Sequence, residues 1–205
     1  MIITNNNPLV LASSSPYRAD LLAKLDLPVI QDTPDIDETP LPGETATAIA
    51  LRLSIAKARK VAQRHDSGLI IASDQVASQN GVSRGKPGDI EIARRQLAKS
   101  SGRWVKFVTG LCVLDPCSSV EYASTETFEV LFRKLSSEQI ENYLQRERPF
   151  DCAGSFKAEG LGISLFKQWR GRDSNCLVGL PLMLLIDFLE NFGIDILGST
   201  QPLKK

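Results

Sequence analysis

The 205 residues hold 24 Lys or Arg against 24 Asp or Glu and one histidine, so the net charge is zero and no global basic field exists for a nucleic-acid polymer or an anionic membrane surface. This length suffices for one domain with a substantial core and needs no covalent staples. The four cysteines, Cys112, Cys117, Cys152 and Cys176, lack C-x-x-C spacing; with a single histidine they exclude an ordinary zinc site and read as reduced thiols of a cytoplasmic protein.

The N-terminal stretch MIITNNNPLVLA has no basic region ahead of its short apolar run, so no targeting segment is expected. Residues 8–12 read as a buried strand that breaks into SSSPYR at 13–18. Ser15 suits an N-cap and Pro16 the first position of a helix over 16–25. A helix N-terminus offers unpaired N–H groups and partial positive charge, and so attracts anions. Arg18 opposes that macrodipole, a placement that makes sense beside a bound phosphate. The alternative is a capped helix with a surface arginine.

Residues 28–31 read as a short second strand and the Pro- and acid-rich 33–44 as a loop. That loop carries Asp37 and Glu38, either a solvated acidic pair or ligands. Residues 44–64 read as a long helix opened by Glu44. Lys57 shares much of its apolar stripe with Ile49, Leu53 and Ala56, so it either snorkels or points at a ligand. His65 reads as a helix-ending residue before Ser67-Gly68.

Residues 69–73 form an apolar strand, and Asp74 is expected at its carboxyl end, where ligand sites of α/β sheets gather. A carboxylate there holds a metal, works as an acid or base, or merely ends a strand. Asn80-Gly81 signals a hairpin turn. Residues 83–88 read as a loop, with Lys86 fixed between Gly85 and Pro87. Its spacing is not that of a Walker A loop, yet a lysine there is a point charge for phosphate or a solvated turn residue.

A helix is expected over 89–99, two long strands over 105–114 and 120–133, and a helix opened at Ser136 with Gln139 in a capping box. Residues 151–176 read as Gly-rich and irregular, and a last helix runs from Pro181 to Asn191. The apolar run at 178–189 is broken by Pro181 and Asp187 and is too short to span a bilayer. The tail 197–205 is expected to fray. Early alternation of strands and helices followed by a long strand pair predicts an α/β fold, a mixed sheet flanked by helices, as one domain over 1–205 with its core at about 8–193. Hydroxyls, one arginine, two lysines and two acids suit a metal-bound polyphosphate, which points to a nucleotide-handling protein.

The joint set SSSPYR, DETP, Lys57, SDQ at 73–75 and GKPG at 85–88 resembles the Maf family of nucleotide pyrophosphatases over about residues 8–193. DCAGSFKAEGLGI at 151–163, FRKLS at 132–136 and LVGLPL at 177–182 are similar to its YceF-type subgroup, which hydrolyses 7-methyl-GTP to 7-methyl-GMP and pyrophosphate. Tyr17 departs from the tryptophan common there. The resemblance implies an ITPase-like mixed α/β fold. It also implies that Ser13, Arg18, Lys57 and Lys86 hold the triphosphate. By the same resemblance Glu38 and Asp74 serve a divalent cation, Mg²⁺ or Mn²⁺, and Asp74 accepts a proton. Tyr17, Gln75 and Glu159 match positions linked to base choice. The implied partner is a small-molecule nucleotide, with no nucleic acid polymer and no membrane, and a homodimer is compatible with the family. The same chemistry on dTTP, UTP or another modified nucleotide, and a non-catalytic nucleotide-binding regulator of cell division, remain the other readings.

Overall fold

Period-two alternation in three strands decides the architecture. In the computed structural model, which describes residues 3–198, these are β1 (Leu9–Leu11), β3 (Leu69–Gln79) and β5 (Trp104–Leu114). Leu9, Leu11, Leu69, Ile71, Leu111 and Val113 point to one face, under α1 (Pro16–Ala23) and α5 (Leu182–Asn191). Val10, Ala12, Ile70, Ala72, Cys112 and Leu114 point to the other, under α2 (Ala46–Ala62). Apolar side chains on both faces make these strands the buried centre of a three-layer sandwich.

The sheet order is β2-β1-β3-β5-β6-β7, where β2 is Val29–Gln31, β6 is Glu121–Phe132 and β7 is Phe166–Arg170, while β4 (Val82–Arg84) pairs with β3. β1 runs parallel to β2 and β3, and every pairing from β3 onward is antiparallel. The expected mixed sheet flanked by helices is present. At its far end α3 (Ile90–Ser100) and α4 (Ser137–Glu147) cover Phe107, Phe128, Val130 and Phe132. Helix starts follow the sequence closely. Ser15 accepts the Arg18 N–H, Asp89 the Ile92 N–H, and Ser136 with Gln139 forms the full capping box.

Four expectations are corrected. Asp74 does not end its strand: β3 continues to Gln79, because Val76 and Ala77 stay buried and the ladder with β5 runs unbroken from Ile70 to Ser78. β1 stops beside Ile71, however, so Asp74 lies where the parallel part of the sheet has ended. Residues 82–84 are a strand rather than loop, since the Asn80-Gly81 turn sends the chain back along β3. Within the Gly-rich 151–176, residues 166–170 add an edge strand against β6, where backbone pairing overrides a polar, charged sequence. The α2 helix starts after Thr45, whose side chain caps Ala48, and Glu44 stays outside it. The part of the fraying tail at 199–205 lies outside the described residues. No helix among those described is long and apolar enough to cross a membrane.

Gly110 sets the distance between α2 and the sheet. A Cβ there would lie 2.1 Å from the Ala50 carbonyl oxygen, and Gly110 is the cross-strand partner of Asp74. Gly110→Ala is therefore expected to lower stability in urea unfolding by about 1–3 kcal/mol, the range for forced overpacking. Gly85→Ala, with nothing within 4 Å of its Cβ, should leave the midpoint unchanged.

Candidate active site

The α1 start, the 33–44 loop, α2, β3, the turn after β4 and residues 151–159 surround one cleft of about 650 Å³, within the range of small-molecule sites. The nine residues given site roles by the family resemblance line it, namely Ser13, Tyr17, Arg18, Glu38, Lys57, Asp74, Gln75, Lys86 and Glu159, whereas Asp37 does not and instead accepts the Thr39 N–H at 2.8 Å.

At its floor, Lys57 on α2 is only 5 % exposed. Its Nζ lies 2.7 Å from Asp74 Oδ1 on β3 and 2.7 Å from Glu38 Oε1 on the loop. The lysine therefore does not snorkel. A buried ammonium needs carboxylates, and both acidic positions answer that need. One of its three N–H donors is left for an anion. Desolvation raises the Glu38 carboxyl, but the Lys57 hydrogen bond and charge, with the fields of Lys86 and Arg18, outweigh it and hold the group below its usual value.

Arg18 is half-buried and donates to the Ser73 carbonyl at 2.8 Å, with Ser13 Oγ at 3.5 Å. No carboxylate pairs with it among the described residues. Burial pulls its pKa down while Asp74 and Glu38 push it up. A half-buried cation without a counter-ion beside a helix N-terminus is chemically able to receive an anion. Gly179 makes room for it: a Cβ there would lie 3.0 Å from Arg18 Nε. Gly179 and Ser73, whose hydroxyl reaches the Gly179 carbonyl at 2.7 Å, lie in the LVGLPL and SDQ segments, but the sequence alone gives neither residue a role. Lys86 stands exposed at the rim, in no ion pair among those described.

Another part of the lining differs in chemistry. The Tyr17 ring lies there, with Lys157 Nζ 6.0 Å from its centroid. The Gln75 amide nitrogen is tied to the Cys176 carbonyl, which leaves its oxygen for a ligand. Glu159 is exposed on a turn; desolvation by the cleft wall is the chief reason its carboxyl is raised, with Asp151 and Glu147 adding and Lys157 opposing. The 157–161 segment hangs on α4: the Lys157 N–H donates to the Tyr143 hydroxyl at 2.9 Å and the Leu161 N–H to Glu147 at 2.9 Å. His65 stands outside this cleft and bonds Asp32, in keeping with its reading as a residue that closes a helix.

The decisive likeness is the match of residues 8–192 to the family model described as Maf-like protein. The chain belongs to the Maf family. This Maf protein is 50% identical over 189 residues to a 7-methyl-GTP pyrophosphatase of Nitrosococcus oceani, covering 92% of this chain and 95% of that one. It is 50% identical over 190 residues to a protein of the same name from Methylobacillus flagellatus, covering 93% and 99%. Its fold is shared with a HAM1 protein from Coxiella burnetii, at a TM-score of 0.52 and 15% identity over 90% of this chain and 99% of that one.

The Glu38 carboxyl titrates below its ordinary value, so its contribution to stability is complete above the usual carboxylate range and fades as pH falls through the folded value. Glu38 is half-exposed, which limits the effect to under about 1 kcal/mol. Thermal melts of wild type and Glu38→Gln should differ slightly at pH 7 and converge near pH 3.

Proposed function

We propose that this protein hydrolyses 7-methyl-GTP to 7-methyl-GMP and pyrophosphate. The observation that carries the reading is the chemistry of the cleft. Arg18, Lys86 and the Lys57–carboxylate centre, whose charges act on one another, make one group in its lining, and Tyr17 and Glu159, each beside Lys157, make a second. A triphosphate and a cationic purine match those two groups. The names of the relatives from Nitrosococcus and Methylobacillus support the substrate.

In this reading Ser13, Arg18 and Lys86 bind the triphosphate and draw charge off the leaving pyrophosphate. Lys57 holds the two carboxylates apart and lends its remaining N–H to phosphate. Asp74 keeps Oδ1 on Lys57, and Oδ2 takes the proton of the water that attacks the α-phosphorus. No group of three or more acidic, histidine or cysteine side chains fit to hold a cation occurs among the described residues. Glu38 and Asp74 nonetheless fit Mg²⁺ or Mn²⁺, which take one or two carboxylates and complete their shells with substrate phosphate and water. Such an ion, when bound, neutralises phosphate charge and eases deprotonation of water. Tyr17 supplies a face for the delocalised charge of 7-methylguanine. Glu159 accepts from the base N–H groups, and the Gln75 oxygen sits beside them. The free cysteines support a reducing, cytoplasmic setting.

Purified protein should release pyrophosphate from 7-methyl-GTP faster than from GTP, dTTP or UTP; equal rates on all four would refute the substrate. Chelation should stop turnover, and added Mg²⁺ or Mn²⁺ should restore it. Asp74→Asn should cut turnover by roughly 10²–10⁴-fold, the range for lost acid–base assistance. Glu159→Gln should reduce preference for 7-methyl-GTP over pyrimidine triphosphates by about 10–100-fold, as expected for one charge-assisted hydrogen bond.

A further inference from the structure

The 32–44 segment has no regular structure, yet α2 and the turn after it grip it at both ends. At the start, Arg64 embraces Asp32 through two hydrogen bonds, Nε to Oδ2 at 3.0 Å and Nη2 to Oδ1 at 2.5 Å. The same Nη2 donates to the Thr33 carbonyl at 2.8 Å. At the end, Arg52 embraces Glu44 likewise, at 2.6 and 2.7 Å, and reaches the Thr39 carbonyl at 3.3 Å. Glu44 also accepts the Leu41 N–H at 2.7 Å. Between the two grips, Ile36 packs on the cluster of Ile49 and Leu53, and Glu38 meets Lys57. Pro34, Pro40 and Pro42 stiffen the chain.

Two-point guanidinium–carboxylate contacts fix direction as well as distance. Both arginines are about a third or more exposed, so the pairs add little to global stability. Their effect falls on the strap itself. The Arg52 hydrogen bond on Glu44, helped by the Leu41 N–H and by the Arg52 charge, outweighs slight desolvation and pulls that carboxyl from 4.5 to about 2. The grip therefore persists across all working pH.

We propose that Arg52 and Arg64 are positioning residues that hold Glu38 over Lys57 and Asp74. The inference rests on reading the cleft as a site of phosphate-ester hydrolysis. Neither arginine lines the cleft, so neither touches the nucleotide.

The test is Arg52→Met and Arg64→Met, each made in wild type and in Glu38→Gln, with pyrophosphate release and amide exchange followed in the intact protein. In wild type each should lower kcat by about 10-fold, as for a catalytic group displaced by a fraction of an ångström, with KM changed less than about 2-fold. In Glu38→Gln the same changes should cost nothing further. Amide exchange at 33–44 should accelerate while α2, the sheet and Tm stay as in wild type. Arg52→Lys keeps the charge but loses the second hydrogen bond, and should recover only part of the rate. Equal losses in both backgrounds, or unaltered kcat, would overturn the proposal. Should wild type release no pyrophosphate from any nucleotide, the reading of the cleft fails instead. Unchanged exchange at 33–44 would then still overturn the grip.

Discussion

Everything in the cleft depends on one buried ammonium. Moving the Lys57 charge out of water costs several kcal/mol, and only well-placed carboxylates offset it. That requirement draws Asp74 from the middle of a strand and Glu38 from a loop to a common point. It also requires α2 to lie close to the sheet, which the missing side chain at Gly110 permits, opposite Asp74 itself. Tertiary packing and site chemistry are thus a single constraint. The helix cannot rise from β5 without pulling the ammonium away from its acids.

A chain of zero net charge still builds a strong local field. It does so by pairing cations unevenly. Arg52, Arg59, Arg64, Arg94 and Arg172 are matched with acids on the surface. Arg18 is not, although it is half-buried and bonded only to a backbone carbonyl and a hydroxyl. Low dielectric around an unmatched guanidinium strengthens its pull on an anion. On the proposed reading, the cleft would attract phosphate while the surface as a whole carries no net charge for polyanions.

Local chemistry made much of this legible in the sequence. The Ser15-Pro16 start, the Asn80-Gly81 turn and the Ser136–Gln139 box act over a few residues, and each occurs where those residues predict it. What the sequence hid depends on distant partners. β7 forms from FKQWR because β6 offers a free edge, which no local pattern announces. Asp74 reads as a strand end because its polarity interrupts an apolar run, whereas the β5 ladder carries the strand on and Lys57, 17 residues away, meets the buried charge. The straps of Arg52 and Arg64 look like ordinary helix-surface charges until their acids are located in space.

The 157–161 segment hangs on α4, through Tyr143 and Glu147, whereas the acids around Lys57 belong to β3 and the loop strapped to α2. The Glu159 side of the cleft and the acids around Lys57 therefore have separate supports, although Tyr17 and Gln75 share α1 and β3 with Arg18 and Asp74. On the proposed reading, substitutions along 157–161 would alter the surroundings of Glu159 without touching the residues that hold Lys57. On that reading, the choice of base would vary by small local changes at Glu159 while the charged centre kept its geometry.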